Sequence, residues 1–125
     1  MPNWSEVFLE ISSMQAQGAN AQQVVRKKYL TLLHQHTKRN LIAYYSGWLS
    51  KGSVFLSDIN DEDKNGFMTT VHKLDRKLGL DLILHTPGGG IAATQSIVTY
   101  LQKMFGNDIR VFVPQISMSA GTIIA

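Results

Sequence analysis

The sequence contains no cysteine, which excludes disulfide bonds and metal sites built on thiolates. It has no apolar run as long as a membrane-spanning helix, and its first residues lack the basic start and the long apolar core of a secretory signal. No internal repeat or low-complexity segment occurs. With 44% hydrophobic and 17% charged residues, the chain has a globular composition, and its 125 residues fit one ordinary domain or the front part of a larger one. We expect a cytoplasmic location by default.

The net charge of +3 is modest, and the basic residues cluster at positions 26–28 and 38–39. Such clusters can bind nucleic acid or an anionic membrane. Because they lie within or beside a helical pattern, a solvated helix face is the simpler interpretation. We therefore predict no nucleic-acid partner.

Apolar residues at helical spacing predict two helices in the first third of the chain, separated by a break at 17–20 with Asn20 as a plausible N-cap. We predict that residues 1–39 form a helical hairpin and that residues 40–125 form a separate domain. The residues at helical spacing are Trp4, Val7, Phe8, Ile11 and Met14 in the first helix, and Val25, Tyr29, Leu32, Leu33 and His36 in the second.

Beyond residue 40, short β-rich runs alternate with helical patterns, which predicts a parallel α/β sheet with right-handed crossovers. Residues 49–66 indicate mainly a loop, and Gly79 and Gly106 are expected to end helices. The predicted strands are 41–46, 80–85 and 109–113. The predicted helix faces are Phe67, Val71, Leu74 and Leu78, then Ile91, Val98, Leu101 and Phe105, and a last helix begins at Ala120.

Two corners rich in small residues stand where predicted strands end and helices begin. The first is Gly88-Gly89-Gly90, whose glycines allow the backbone to turn sharply and expose N–H groups. The second centres on Ser119, thirty positions after Gly89. Because open α/β sheets bind ligands at the carboxyl ends of their strands, both corners are expected in one crevice. A hydroxyl nucleophile beside N–H donors can perform acyl-transfer chemistry.

Each corner alone has a simpler interpretation. The glycine cluster can be a tight turn without chemistry or a phosphate site, although neither a dinucleotide fingerprint nor a P-loop motif is present. Ser119 can be an ordinary helix N-cap, and its surroundings lack the glycine spacing of the G-x-S-x-G elbow.

Together, residues 80–89 and 115–122 resemble the ClpP/crotonase superfamily. Within it, they resemble the prokaryotic serine-dehydrogenase-proteinase branch of the signal-peptide-peptidase-A-like (S49) serine peptidases. Residues 41–48 and 66–76 are also similar to that branch, so that the resemblance extends from about residue 40 to the end.

The resemblance implies that Ser119 is the nucleophile and that the N–H groups of Gly89 and Ala120 bind the oxyanion. It also implies a lysine base after the serine, or a histidine followed by an aspartate as in ClpP itself. No such residue follows Ser119 here, so we expect a C-terminally truncated ClpP/crotonase-like domain. A peptide or protein substrate, a homo-oligomer, no cofactor and, in some members, membrane association are implied as well.

Other candidate bases are weaker. His85 ends the strand before the glycine turn, but that position is usually a polar structural residue in the superfamily. The remaining candidates fit structural or solvated roles, and no metal site is expected, because neither H-E-x-x-H nor an EF-hand pattern occurs. These residues are His34, His36, His72 and Lys103, with the acidic Asp58, Asp61, Glu62 and Asp63.

The sequence thus predicts a serine peptidase whose catalytic set is incomplete in this chain. Two alternatives remain open. The chain can be a non-catalytic, partner-dependent fragment that acts as an interaction module, or the glycine turn can bind acyl-CoA or a phosphate ligand, because crotonase relatives use similar corners on thioesters.

Overall fold

The computed structural model describes residues 2–18, 20–45, 59, 61–115 and 117–125. The chain divides into two compact units, Met1–Lys38 and Arg39–Ala125.

The first unit is a pair of helices, α1 (Trp4–Ala16) and α2 (Ala21–Thr37). They are joined by Glu10, which accepts hydrogen bonds from Lys28 Nζ (2.5 Å) and from the Tyr29 hydroxyl (3.0 Å). The hydrogen bond from Lys28 is the main reason why the pKa of Glu10 lies below its usual value. The polar contact between the helices was not predicted from the apolar spacing.

The unit has the two helices that the apolar spacing predicts, but the apolar residues themselves are largely exposed. No residue of α1 is buried, and the side chain of Trp4 is 76% exposed. In α2, Leu32 and His36 are exposed, although they share the predicted face with buried Val25. Asn20 stands at the N-cap position, yet its side chain makes no capping hydrogen bond.

The second unit is built on three parallel strands in the order β1 (Asn40–Tyr45), β2 (Leu80–His85) and β3 (Ile109–Phe112). Asn40 pairs with Leu80, which pairs with Ile109, so the three strands start level with one another. The predicted parallel α/β fold is confirmed. Strand β2 lies in the middle, which explains its nearly continuous apolar sequence.

The helices of this unit are α3 (Asp61–Val71), α4 (Ile91–Phe105) and α5 (Ala120–Ile124). The predicted loop at 49–66 is wrong from Asp61 onward, where α3 begins. Three successive acidic residues start that helix, and acids favour a helix N-terminus. The rest of that predicted loop, except Ile59, lies outside the described residues.

The predicted helix from Phe67 to Leu78 is also wrong, because α3 ends at Val71. The Asp75 side chain accepts a hydrogen bond from the N–H of Lys77 (2.9 Å), and this local bond starts a separate short 3-10 helix, Arg76–Leu78. Gly79 then ends that short helix with φ +66°, as a C-cap.

The core lies between the sheet and helices α3 and α4. Ile91 does not belong to it, contrary to the predicted face of α4, since its side chain is 62% exposed. The core side chains are Ile42, Ile59, Phe67, Val71, Leu80, Leu82, Leu84, Ala93, Ile97, Leu101, Met104 and Phe105.

Candidate active site

The glycine turn after β2 is held by the backbone of Ile59. The Ile59 N–H donates to the Gly88 carbonyl and the Gly90 N–H donates to the Ile59 carbonyl, both at 2.8 Å. Gly89 has φ +156°, and a Cβ on it would overlap the backbone of Ile59. Glycine is therefore required at position 89 both by its conformation and by the close approach of another chain segment.

The three glycine N–H groups of this turn have different partners. The Gly88 N–H donates to Thr86 Oγ1 (3.2 Å), and the Gly90 N–H is used by Ile59. The Gly89 N–H donates to no residue that the structure describes. Of the three, the Gly89 N–H is thus the donor without a described partner, and its role in binding an oxyanion stays a prediction of the resemblance.

Ser119 precedes α5 in an unusual backbone conformation, φ +50° and ψ −121°. Lys38 is the other described non-glycine residue with positive φ, and its values (59°, 23°) are those of an ordinary left-handed helix cap. The φ and ψ of Ser119 lie outside the left-handed region. A non-glycine residue in such a conformation stores strain of about 1–3 kcal/mol.

The N-cap interpretation does not account for Ser119. The residue is exposed and stands at the N-cap of α5, but its side chain makes no capping hydrogen bond. A strained serine without a capping bond is typical of a nucleophile on a sharp strand-to-helix turn.

The structure brings the two corners together. Thr86, directly after β2, pairs with Ser117 in a parallel bridge, and the Met118 N–H donates to the Thr86 carbonyl (3.1 Å). Gly121 is buried, and a Cβ on it would lie 2.6 Å from Thr86 Cγ2 and 2.7 Å from Ser117 Oγ. The serine corner therefore packs directly on the residue that begins the glycine turn.

Ser117 contributes a second hydroxyl at this corner. Its Oγ is buried and has no hydrogen-bond partner among the described residues. Its carbonyl accepts a hydrogen bond from Thr122 Oγ1 (3.1 Å), which ties the corner to the first turn of α5. Sequence reasoning had not singled out this residue.

Within the described part of the second unit, none of the candidate bases hydrogen-bonds the Ser119 hydroxyl. His85, the last residue of β2, is half-buried beside Tyr45, its partner in the sheet. The others are exposed: His34, His36, His72 and Lys103.

A metal centre also lacks support in the described residues, which hold no group of three or more histidine, aspartate or glutamate side chains suited to a metal ion. Asp58 lies outside the described residues, as do the side chains of Asp61 and Asp63, whereas Glu62 is exposed.

At the opposite, amino-terminal edge of the sheet lies an ion-pair network that sequence analysis missed. Asp81 is 1% exposed and accepts hydrogen bonds from Arg110 Nε and Nη2 (2.7 and 2.6 Å) and from Arg39 Nε (2.7 Å). Arg39 also binds Asp108 through Nη1 (2.6 Å). Hydrogen bonds from Arg110 and then from Arg39 hold the pKa of Asp81 below its usual value, against the effect of burial. The sequence did contain one indication of this network, because Asp81 is an acidic residue inside an apolar strand and a buried charge needs a partner.

The second unit is thus a parallel α/β domain whose glycine turn and serine corner lie together at the carboxyl ends of its strands. The chain belongs to the family of ClpP-like SDH-type serine proteinases, whose family model matches residues 8–125. The match includes most of the helical hairpin, so it starts well before residue 40, where the resemblance was expected to begin.

Among individual proteins, the chain is similar to the uncharacterized protein MJ0137 of Methanocaldococcus jannaschii, with 37% identity over 67 residues. That region is 54% of this chain and 23% of the relative, so the match spans less than a quarter of the relative's length. No solved structure matches the chain. Among the described helices, none combines the length and the hydrophobicity needed to cross a membrane.

Proposed function

We propose that this chain carries the nucleophile and the oxyanion-binding groups of a serine peptidase. Ser119 Oγ attacks the peptide carbonyl, and its proton passes to a general base. The N–H groups of Gly89 and Ala120 bind the resulting oxyanion, the amine leaves with a proton, and water hydrolyses the acyl-enzyme. The observation that carries the proposal is the strained, uncapped Ser119 beside a glycine turn whose Gly89 N–H bonds no described residue.

The base is assigned by the family resemblance to a lysine that follows the nucleophile. No lysine follows Ser119 within these 125 residues, and Lys103 makes no hydrogen bond to Ser119. The proposal therefore places the base outside this set of residues, on a group that completes the site.

The charge distribution favours a peptide over a phosphate or acyl-CoA ligand. No Asp, Glu, Lys or Arg occurs at positions 82–102 or 111–125, which include both corners. These segments thus supply no cation to balance a phosphate, whereas a neutral peptide backbone needs none.

The assembly and location belong to the same proposal. We propose a peptide or protein substrate, a homo-oligomeric assembly and a cytoplasmic location, with contact to an anionic membrane through the exposed Lys27. Sedimentation velocity tests the assembly, since a monomer at all concentrations would contradict it.

The test of the reaction compares Ser119→Ala with Ser117→Ala in the protein as its gene encodes it. A serine-directed phosphonate is expected to label the wild type and the Ser117→Ala variant on Ser119, because Ser117 Oγ is buried, and to leave Ser119→Ala unlabelled. The readout is the labelled residue by mass spectrometry. Equal labelling of all three proteins would contradict the assignment.

A further inference from the structure

Thr86 is completely buried (0% exposed) at the junction of the two corners, and three of its groups are engaged. Its Oγ1 accepts the Gly88 N–H, its carbonyl accepts the Met118 N–H, and its Cγ2 fills the space in front of Gly121. One side chain therefore touches the glycine turn on one side and the serine corner on the other.

The hydroxyl of Thr86 acts on the glycine turn. By accepting the Gly88 N–H at 3.2 Å, it holds the Pro87–Gly88 peptide. Ile59 holds the next two peptides, through the Gly88 carbonyl and the Gly90 N–H. With both neighbouring N–H groups bonded, the Gly89 N–H is left in a fixed direction and has no partner among the described residues. A preorganised donor of this kind is what stabilises an oxyanion.

The carbonyl and the methyl group of Thr86 act on the serine corner. The carbonyl holds Met118, the residue before Ser119, and Cγ2 stands against the buried Gly121 two residues after it. A β-branched residue has few χ1 rotamers, and with its hydroxyl and methyl both in contact Thr86 is confined to one of them.

We propose that Thr86 is the positioning residue that sets the Gly89 N–H and the Ser119 hydroxyl relative to each other. This inference rests on the proposed peptidase function. Thr86 does not touch the substrate, and it acts only through the two corners that it connects.

The first test separates the hydroxyl from the methyl group. Thr86→Val keeps the shape and removes the acceptor of the buried Gly88 N–H, so we expect the phosphonate to label Ser119 roughly ten- to hundredfold more slowly. Thr86→Ser keeps the acceptor and should stay within about threefold of the wild type. Thr94→Val is the matched control, because Thr94 is equally buried and its hydroxyl, among the described residues, bonds the Gly90 carbonyl alone (2.9 Å).

The second test uses the contact between Thr86 and Gly121. Gly121→Ala adds a methyl group that overlaps Thr86 Cγ2, so it should slow labelling by itself. Combined with Thr86→Ser, which removes Cγ2, the same substitution should recover at least part of the rate, and a double-mutant cycle measures this coupling.

All labelling rates are compared at equal folded fractions, which urea unfolding determines. A variant that is labelled slowly only because less of it is folded is thereby recognised. Suppose that the wild type is labelled on Ser119. If Thr86→Val is then labelled at the same rate, or is slowed no more than Thr94→Val, this inference is overturned and the peptidase proposal stays intact. Strictly additive effects of Thr86→Ser and Gly121→Ala would also overturn it. A wild type that is not labelled on Ser119 overturns the peptidase proposal, and the positioning role falls with it.

Discussion

At the scale of single residues, Ser119 and Asp81 depart from the ordinary rules of the fold in opposite ways. Ser119 is exposed but strained, with φ +50°, and its side chain makes no capping hydrogen bond. Asp81 is buried and charged, yet its carboxylate accepts hydrogen bonds from two arginines, Arg39 and Arg110. The first departure costs stability, while the second contributes to it, which is the difference expected between a reactive group and a structural one.

The strain at Ser119 can be measured with two substitutions that both remove the hydroxyl. Ser119→Gly relieves the backbone strain and Ser119→Ala retains it, so the glycine variant should be more stable by about 1 kcal/mol after the entropy cost of glycine. Urea unfolding measures the difference. The same two substitutions at Asn20, an N-cap residue with φ −72°, give the baseline for an unstrained position. A difference at Ser119 no larger than that at Asn20 would mean that the strain is absent.

At the scale of elements, two helices of the second unit end at glycines with positive φ. Gly106 ends α4 with φ +60° and Gly79 ends the short 3-10 helix, both as predicted from their positions. Within α3, in contrast, glycine is not required at position 66, because the φ of Gly66 is not positive and a Cβ there would meet nothing within 4 Å.

Gly66→Ala should therefore raise the free energy of unfolding by about 0.5–1 kcal/mol, since alanine has the higher helix propensity and reduces the entropy of the unfolded chain. Gly106→Ala is the control: it also meets nothing within 4 Å, but its positive φ should make the variant less stable by about 1 kcal/mol. Chemical unfolding of both variants checks the signs. A loss of stability in Gly66→Ala would show that α3 is not a regular helix at this position.

At the scale of the whole second unit, the two edges of the sheet differ in charge. Asp81 and Arg110 are the second residues of their strands, and Arg39 directly precedes β1, so the network lies at the amino-terminal edge. The carboxyl-terminal edge carries the two corners, on segments free of acidic and basic residues other than histidine. The groups that stabilise the sheet are thus separated from the candidate site, and one can be altered without the other.

The network predicts acid sensitivity. Because the folded pKa of Asp81 is lowered, its contribution is complete above the unfolded pKa of about 4 and is lost as the pH falls through the folded value. At neutral pH, Asp81→Asn should cost about 3 kcal/mol, the lower end for a broken buried pair, because the half-exposed Arg110 can return to water.

Urea unfolding between pH 7 and pH 2 checks this expectation. The stability of the wild type should fall below about pH 4, and that of Asp81→Asn should be flatter over the same range. Asp108→Asn, which alters the more exposed partner of Arg39, should cost only about 0–1 kcal/mol. Parallel pH curves for wild type and Asp81→Asn would remove Asp81 as the source of the acid sensitivity.

Local patterns in the sequence were sufficient for the strands, for most helix ends and for the two corners. The predicted strand at 80–85 coincides with β2, and the helix expected between Ile91 and the stop at Gly106 coincides with α4. Apolar runs, helical periodicity and glycine act over a few residues, so they can be recognised without knowing what packs against them. The assignment of Ser119, Gly89 and Ala120 to catalysis came from the family resemblance and stays a proposal.

Only the tertiary structure decided which groups at those corners are free, strained or held. Ile59 closes the turn at Gly89, Thr86 connects that turn to the serine corner, and Arg39 reaches Asp81 from 42 positions away. These contacts join segments that are distant in the chain, and their geometry depends on how the parallel strands align. No local pattern encodes that alignment, because it is set by the packing of the whole sheet and its helices.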